Sequence, residues 1–193
     1  MRIAVLGRGN IGGTLGSKWQ EAGHEVSFGV RNPDPSSPSQ ASISDAISHG
    51  EVVLFAVPAS AVGPIAEAQA ADLIGKILID ATNNMAGASM SSVDALVAHV
   101  PTAKVFRAFN SLGWENFANP VFGNDRADLF YCGSSDTGAT RIVEELIEAI
   151  GLRPMRVGDL DKVELVDCVT KLWFALASGR KMGRHTAFKV LSD

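Results

Sequence analysis

The chain of 193 residues is short of cysteine, carries no excess of positive charge and has no long apolar run, and each shortage removes a class of function. Its two cysteines, Cys132 and Cys168, lie far apart and make no metal-ligand spacing, so they read as free thiols of a reducing compartment. The net charge of -4 argues against nucleic acid or an anionic membrane surface as partner. No stretch is apolar for long enough to span a bilayer. The first strand begins at residue 2, which leaves no room for a leader, and a cytoplasmic location is the expectation. Only one segment is rich in proline and serine, Asn32 to Ser39, and it reads as a loop. With no other linker, residues 1–193 form a single expected domain, with 159–193 as a helical extension. An obvious catalytic pair is lacking too. His24 and His49 sit at helix–strand junctions, His99 precedes a strand, and His185 is the one histidine with access to a site.

What is present is concentrated at the start. An apolar strand from Met1 runs into Leu6-Gly7-Arg8-Gly9-Asn10-Ile11-Gly12, which is G-x-G-x-x-G followed by a helix ending at Gly23 and a second strand, His24 to Phe28. In this context Gly7 lets the chain turn out of the strand, Gly9 lets backbone approach a pyrophosphate, and Gly12 lets helix pack closely on strand. The helix N-terminus adds free N–H groups and the positive end of a dipole.

Strand and helix signals then alternate. Glu51–Val57, Lys76–Asp80, Lys104–Ala108, Asp128–Tyr131 and Arg153–Val157 are short runs of branched or aromatic residues and read as buried strands. Ile43–Ser48, Ala59–Leu73, Asp136–Ile150 and Asp161–Ala177 read as helices, and Arg180–Asp193 as a tail with one or two helical turns. The fold class expected is α/β, a Rossmann-type doubly wound, mainly parallel sheet with a C-terminal helical extension.

In such folds, ligands lie at the carboxyl ends of the strands. After the second strand the chain has Gly29-Val30-Arg31-Asn32, with no carboxylate to hold an adenosine ribose. Arg31, with Asn32 beside it, suits a 2′-phosphate, so NADP(H) is expected over NAD(H). Arg8 either adds a second cation near the adenosine phosphates or points into solvent. Val57 and Pro58 end the third strand, and Asn83 and Asn110 follow the fourth and fifth. Both asparagines are expected to donate side-chain amides at the nicotinamide end, whereas Asn84 reads as a turn former.

The segments IAVLGRGNIG, GHEVSFGVR, VLFAVP, AFNSLGWENFANP, CGSSD and GLRPMRVGDL span nearly the whole chain. They resemble the coenzyme F420-dependent NADP oxidoreductase family, and are similar also to the cytosolic NADPH-binding domain of six-transmembrane epithelial metalloreductases. The resemblance implies hydride transfer between NADP(H) and a flavin or deazaflavin. It further implies pyrophosphate binding by Gly7, Gly9, Asn10, Ile11 and Gly12, 2′-phosphate binding by Arg31, and nicotinamide contacts near Pro58 and Asn110. One departure is Val30, where members often carry a serine that reaches the 2′-phosphate.

Two other functions compete with hydride transfer to a small-molecule ring acceptor. Lys171 is placed to protonate a carbonyl or imine if burial lowers its pKa. Alternatively Glu164, Asp167 and Lys171 form a solvated helix face, with an Asp167–Lys171 ion pair opposite an apolar stripe of Leu165, Val169, Leu172, Trp173 and Leu176. A non-catalytic NADP(H) sensor remains the third reading. The tail cations Arg180, Lys181, Arg184 and Lys189 are either a solvated turn or a basic rim for an anionic acceptor. Trp114 either stacks on an acceptor ring or belongs to the core or a subunit interface, and the expected partners include a second copy in a homodimer.

Overall fold

The computed structural model describes residues 1–192. Ten strands and eight α-helices alternate along them. The strands are β1 (Arg2–Leu6), β2 (Glu25–Gly29), β3 (Gln40–Ala41), β4 (Val52–Phe55), β5 (Ile77–Asp80), β6 (Lys104–Arg107), β7 (Val121–Phe122), β8 (Asp125–Arg126), β9 (Asp128–Gly133) and β10 (Arg153–Gly158). The helices are α1 (Asn10–Glu21), α2 (Ile43–His49), α3 (Ala59–Ala68), α4 (Ala70–Leu73), α5 (Val93–His99), α6 (Trp114–Ala118), α7 (Thr137–Ala149) and α8 (Val163–Phe174).

Eight strands share one sheet in the order β10-β9-β6-β5-β4-β1-β2-β3. From β3 to β6 every pairing is parallel, the doubly wound order with its crossover at β1 and β4. β9 then pairs antiparallel with β6, and β10 runs parallel to β9, so this edge points the other way. The central strands are apolar on both faces because both faces are covered: Val52, Val53, Leu54 and Phe55 are all buried. Leu15, Trp19, Phe106, Phe117 and Trp173 pack one face, and Ala46, Val62, Ala66 and Leu96 the other. Trp19 Nε1 donates to Leu146 O at 2.9 Å, fastening α1 to α7. Side-chain caps start α2 and α7, where Ser42 accepts from Asp45 N and Asp136 from Ala139 N.

Three sequence expectations need correction, and some elements lie where none is expected. The helix expected over Ala59–Leu73 breaks at Gln69, whose φ of -114° interrupts it before α4. Helices α5 and α6 and the β7–β8 hairpin fill the segments without an expected element, although Val93, Leu96, Val97 and Val100 have helical spacing across α5. The tail from Arg180 is irregular rather than helical. Its backbone groups are taken by the body: Phe188 O accepts from Asp128 N, Thr186 O from Trp173 Nε1 and Arg184 O from Asn116 Nδ2. Positive φ at Lys181 and Gly183 further opposes a helix there. The last correction concerns α8. Leu165 and Leu172, expected in the core, are 53% and 51% exposed, while Asp167 and Thr170 are buried.

No helix among the described residues is long and apolar enough to cross a membrane.

Candidate functional site

The glycine loop lies where β1, β2 and β4 end. Gly7 N donates to Gly29 O and Ala56 N to Leu6 O, so the loop is tied to both neighbouring strands. Gly7 has φ 95°, and a Cβ there would stand 2.5 Å from Ala56 O; one on Gly12 would stand 2.1 Å from Gly7 O. Both are therefore glycines for reasons internal to the fold. Gly9 differs. Its φ of -74° suits any residue, and a Cβ on it would meet nothing within 4 Å. Gly9 also occupies the N-cap of α1 with no side-chain cap, leaving the first-turn N–H groups free. An uncapped helix end fronted by bare backbone is a place for an anion to approach.

Around this end, Asn10 is exposed and Ile11 packs partly against the core. The Arg8 guanidinium lies over the Phe28 ring, 5.3 Å from its centroid, which turns it toward the end of β2. Arg31 and Asn32 are exposed, and Arg31 makes no ion pair among the described residues. Val57 is half-buried and Pro58 exposed at the head of α3, which also opens without a side-chain cap.

Beneath the ends of β5 and β6 sits a feature invisible in the sequence. Arg107 is fully buried, and its guanidinium donates to Asp80 Oδ2 at 3.0 Å, Asn83 Oδ1 at 3.0 Å and Asp167 Oδ1 at 2.8 and 2.9 Å. Asp80 is further held by Thr82 and Ser92 N. Burial pushes the Asp167 carboxyl above the ordinary carboxylate range, while the Arg107 charge pulls it back. This cluster links α8 to the loops after β5 and β6.

The same cluster changes the part played by the two asparagines. Asn110 is buried, and its amide donates to Thr170 Oγ1 at 2.8 Å and Asp167 Oδ1 at 3.3 Å, so both hydrogens expected for a cofactor are spent inward. Asn83, which is exposed, donates to Asn110 O and accepts from Arg107, keeping one amide hydrogen. The residue between strand and asparagine, Phe109, is buried with φ 62° and is wedged edge-on against Trp19 and Phe117. A non-glycine residue in that conformation costs about 1–2 kcal/mol, which the aromatic packing offsets.

The remaining candidates separate cleanly. Asp167 is committed to Arg107, so the expected Asp167–Lys171 ion pair does not form. His185 stacks on Phe122 at 4.2 Å and hydrogen-bonds Asn119 O; His49 lies 3.4 Å from Glu25. The tail is not an unopposed basic rim: Arg184 pairs with Glu115 and Lys189 with Asp125. Trp114 opens α6 and packs partly against the core. Burial pushes the Cys132 thiol up to about 12, which keeps it protonated and unreactive. Among the described residues no cluster of His, Cys, Asp and Glu is placed to hold a metal.

Residues 2–84 match the model of the family described as NADP oxidoreductase, coenzyme F420-dependent. Rattus norvegicus metalloreductase STEAP3 is 28% identical over 179 residues, covering 87% of this chain and 36% of that protein. This chain thus spans about a third of the curated relative's length. A protein from Arthrobacter sp. FB24, named for F420-dependent NADP-reductase activity, shares 26% identity and a TM-score of 0.85 over 100% of both chains. The Aspergillus terreus reductive aminase in complex with NADPH shares the fold, at 18% identity and a TM-score of 0.69 over 92% of this chain and 62% of its own. The glycine-loop cleft thus lies within residues 2–84, the part of the chain that matches the coenzyme F420-dependent NADP oxidoreductase family, and the whole chain shares the fold of the Arthrobacter protein.

Proposed function

We propose that the protein transfers hydride between NADP(H) and a flavin or deazaflavin ring at the carboxyl ends of β4 and β5. The observation that carries the cofactor half is Gly9, a glycine without an internal reason to be one, placed before the uncapped N-terminus of α1. Its bare backbone and the free N–H groups of the first turn would receive the pyrophosphate, and Arg31 the 2′-phosphate. Pro58 and Asn83 would border the nicotinamide. When bound, NADPH supplies the hydride, and the chain's task is to hold the two rings face to face.

The ring-acceptor reading is supported by the state of the buried carboxylates at these strand ends, since Asp80 and Asp167 are both bound to Arg107. A flavin-type ring exchanges its proton with solvent and needs no such group. Lys171→Met is accordingly expected to lower turnover on the best acceptor by less than about threefold. If Lys171 were the proton donor, the loss would be about two to four orders of magnitude. Steady-state rates at saturating NADPH decide between them.

Cofactor choice tests Arg31. The substitution Arg31→Asp should weaken NADPH by about 1.5–3 kcal/mol while leaving NADH nearly as it was, because a charge-assisted contact to the 2′-phosphate is lost. Calorimetric titration of both dinucleotides into both proteins measures this. An unchanged NADPH-to-NADH ratio would remove Arg31 from the site.

A further inference from the structure

Next to Pro58 and Asn83 opens a groove of about 560 Å³, lined also by Ser60, Asn84, Ser89, Ser91 and Asp94. It shares Ser89, Ser91 and Asp94 with a second hollow of about 290 Å³ that reaches Glu164, Asp167 and Lys171 on α8. The two adjoin along these shared residues and are taken together as one channel, whose chemistry changes from one end to the other. At the inner end, α3 presents first-turn N–H groups with no side-chain cap, suited to carbonyl oxygens of a ring. The middle is hydroxyl-rich and has no aromatic lining. The outer end is acidic: Asp94 and Glu164 are exposed carboxylates, Asp167 stands behind them, and Lys171 is the cation facing them. Further back, Arg107 is shared between Asp167 and Asp80, so the buried cluster adds no spare positive charge.

Resting on the hydride-transfer reading above, we propose that this channel holds the side chain of the acceptor and selects one that is polyhydroxylated and uncharged, discriminating against a terminal anion. A ring stacked at the strand ends would send a neutral polyol past Ser89 and Ser91, which supply hydroxyl partners, whereas a phosphate at the end of the same polyol meets Asp94 and Glu164. None of the tail cations lines either hollow, and Arg184 and Lys189 are paired with Glu115 and Asp125. In the reaction, a hydride carries two electrons and one proton's mass from the dihydronicotinamide to the acceptor ring. The ring takes one further proton from solvent, giving oxidised nicotinamide and the dihydroflavin.

Riboflavin and FMN share one ring and differ by a phosphate, which makes them the probes. Their dissociation constants are measured by flavin fluorescence titration against the protein with NADP⁺ bound, so that no turnover intervenes, and kcat/KM is measured separately with NADPH. Riboflavin should bind about tenfold tighter than FMN at low ionic strength, with the gap narrowing as salt screens the carboxylates. The double variant Asp94→Asn/Glu164→Gln should narrow it too, mainly by strengthening FMN. Equal or tighter binding of FMN, or a preference for riboflavin that neither salt nor the variant changes, would overturn the channel's charge selection and leave hydride transfer standing. If neither flavin binds nor is reduced while NADPH still binds, both the channel assignment and the flavin acceptor fall together.

Discussion

Gly9→Val is expected to abolish NADPH binding while leaving the protein folded. The two halves of that outcome come from one fact: a Cβ on Gly9 meets nothing of the protein within 4 Å, so a side chain there starts into the open space in front of α1. A β-branched residue with φ near -74° is unstrained, which keeps the stability change small. Its methyl groups would hold the pyrophosphate away from the first-turn N–H groups, and hydrogen bonds to a charged group are lost steeply with distance. The same substitution at Gly7 or Gly12 would be uninformative, since a Cβ there collides with backbone and the fold itself would suffer. Circular dichroism with calorimetric titration measures both halves. A folded Gly9→Val protein with ordinary NADPH affinity would remove the glycine loop from the site.

The largest stability effect is expected at Arg107. Arg107→Met keeps length and packing but strips the counter-ion from two buried carboxylates. Asp80 retains Thr82 and Ser92 as donors, whereas Asp167 is left with the Asn110 amide alone. Removing one partner of a buried ion pair costs about 3–5 kcal/mol, because a charge remains buried without compensation. The pH dependence has a definite sign. Burial already raises the Asp167 pKa, and without Arg107 nothing of comparable strength holds it down. A protonated Asp167 needs no counter-ion, so the deficit relative to the unsubstituted protein should shrink as pH falls and widen as pH rises. Adding Asp167→Asn to Arg107→Met should recover part of the loss at neutral pH. Chemical denaturation of the three proteins across pH tests this, and a pH-independent deficit would mean that Arg107 acts through packing alone.

Arg107 also shows where the sequence stopped being legible. In Lys104–Ala108 it sits within an apolar run, and nothing local reveals that its charge is met by Asp80 and by Asp167, sixty positions further on. That long-range pairing shifts the faces of α8: Asp167 and Thr170 are buried and Leu165 and Leu172 turn out, while Glu164 and Lys171 stay exposed and Trp173 stays buried. Periodicity correctly finds a helix here and misassigns its faces, because hydrophobic burial is only one of the forces orienting it. The tail fails for a different reason. Its backbone partners are Asp128, Trp173 and Asn116, groups that only the folded body brings together. By contrast the first 31 residues are almost fully readable, since the strand, the glycines, α1 and β2 are adjacent in the chain and their constraints are local. Asn83 and Asn110 fall between these cases. Their places at strand ends follow from topology, but the inward direction of their amides follows from Arg107 and Thr170.

The most direct test of the central claim is an anaerobic single-turnover reaction of the protein with NADPH and riboflavin, following the absorbance of reduced nicotinamide and of oxidised flavin together. Hydride transfer at this site predicts that the two signals fall in step and in equal amounts, that C4-deuterated NADPH slows both, and that Gly9→Val abolishes both. Tight NADPH binding with neither signal falling would contradict the account and leave a dinucleotide-binding protein without this chemistry.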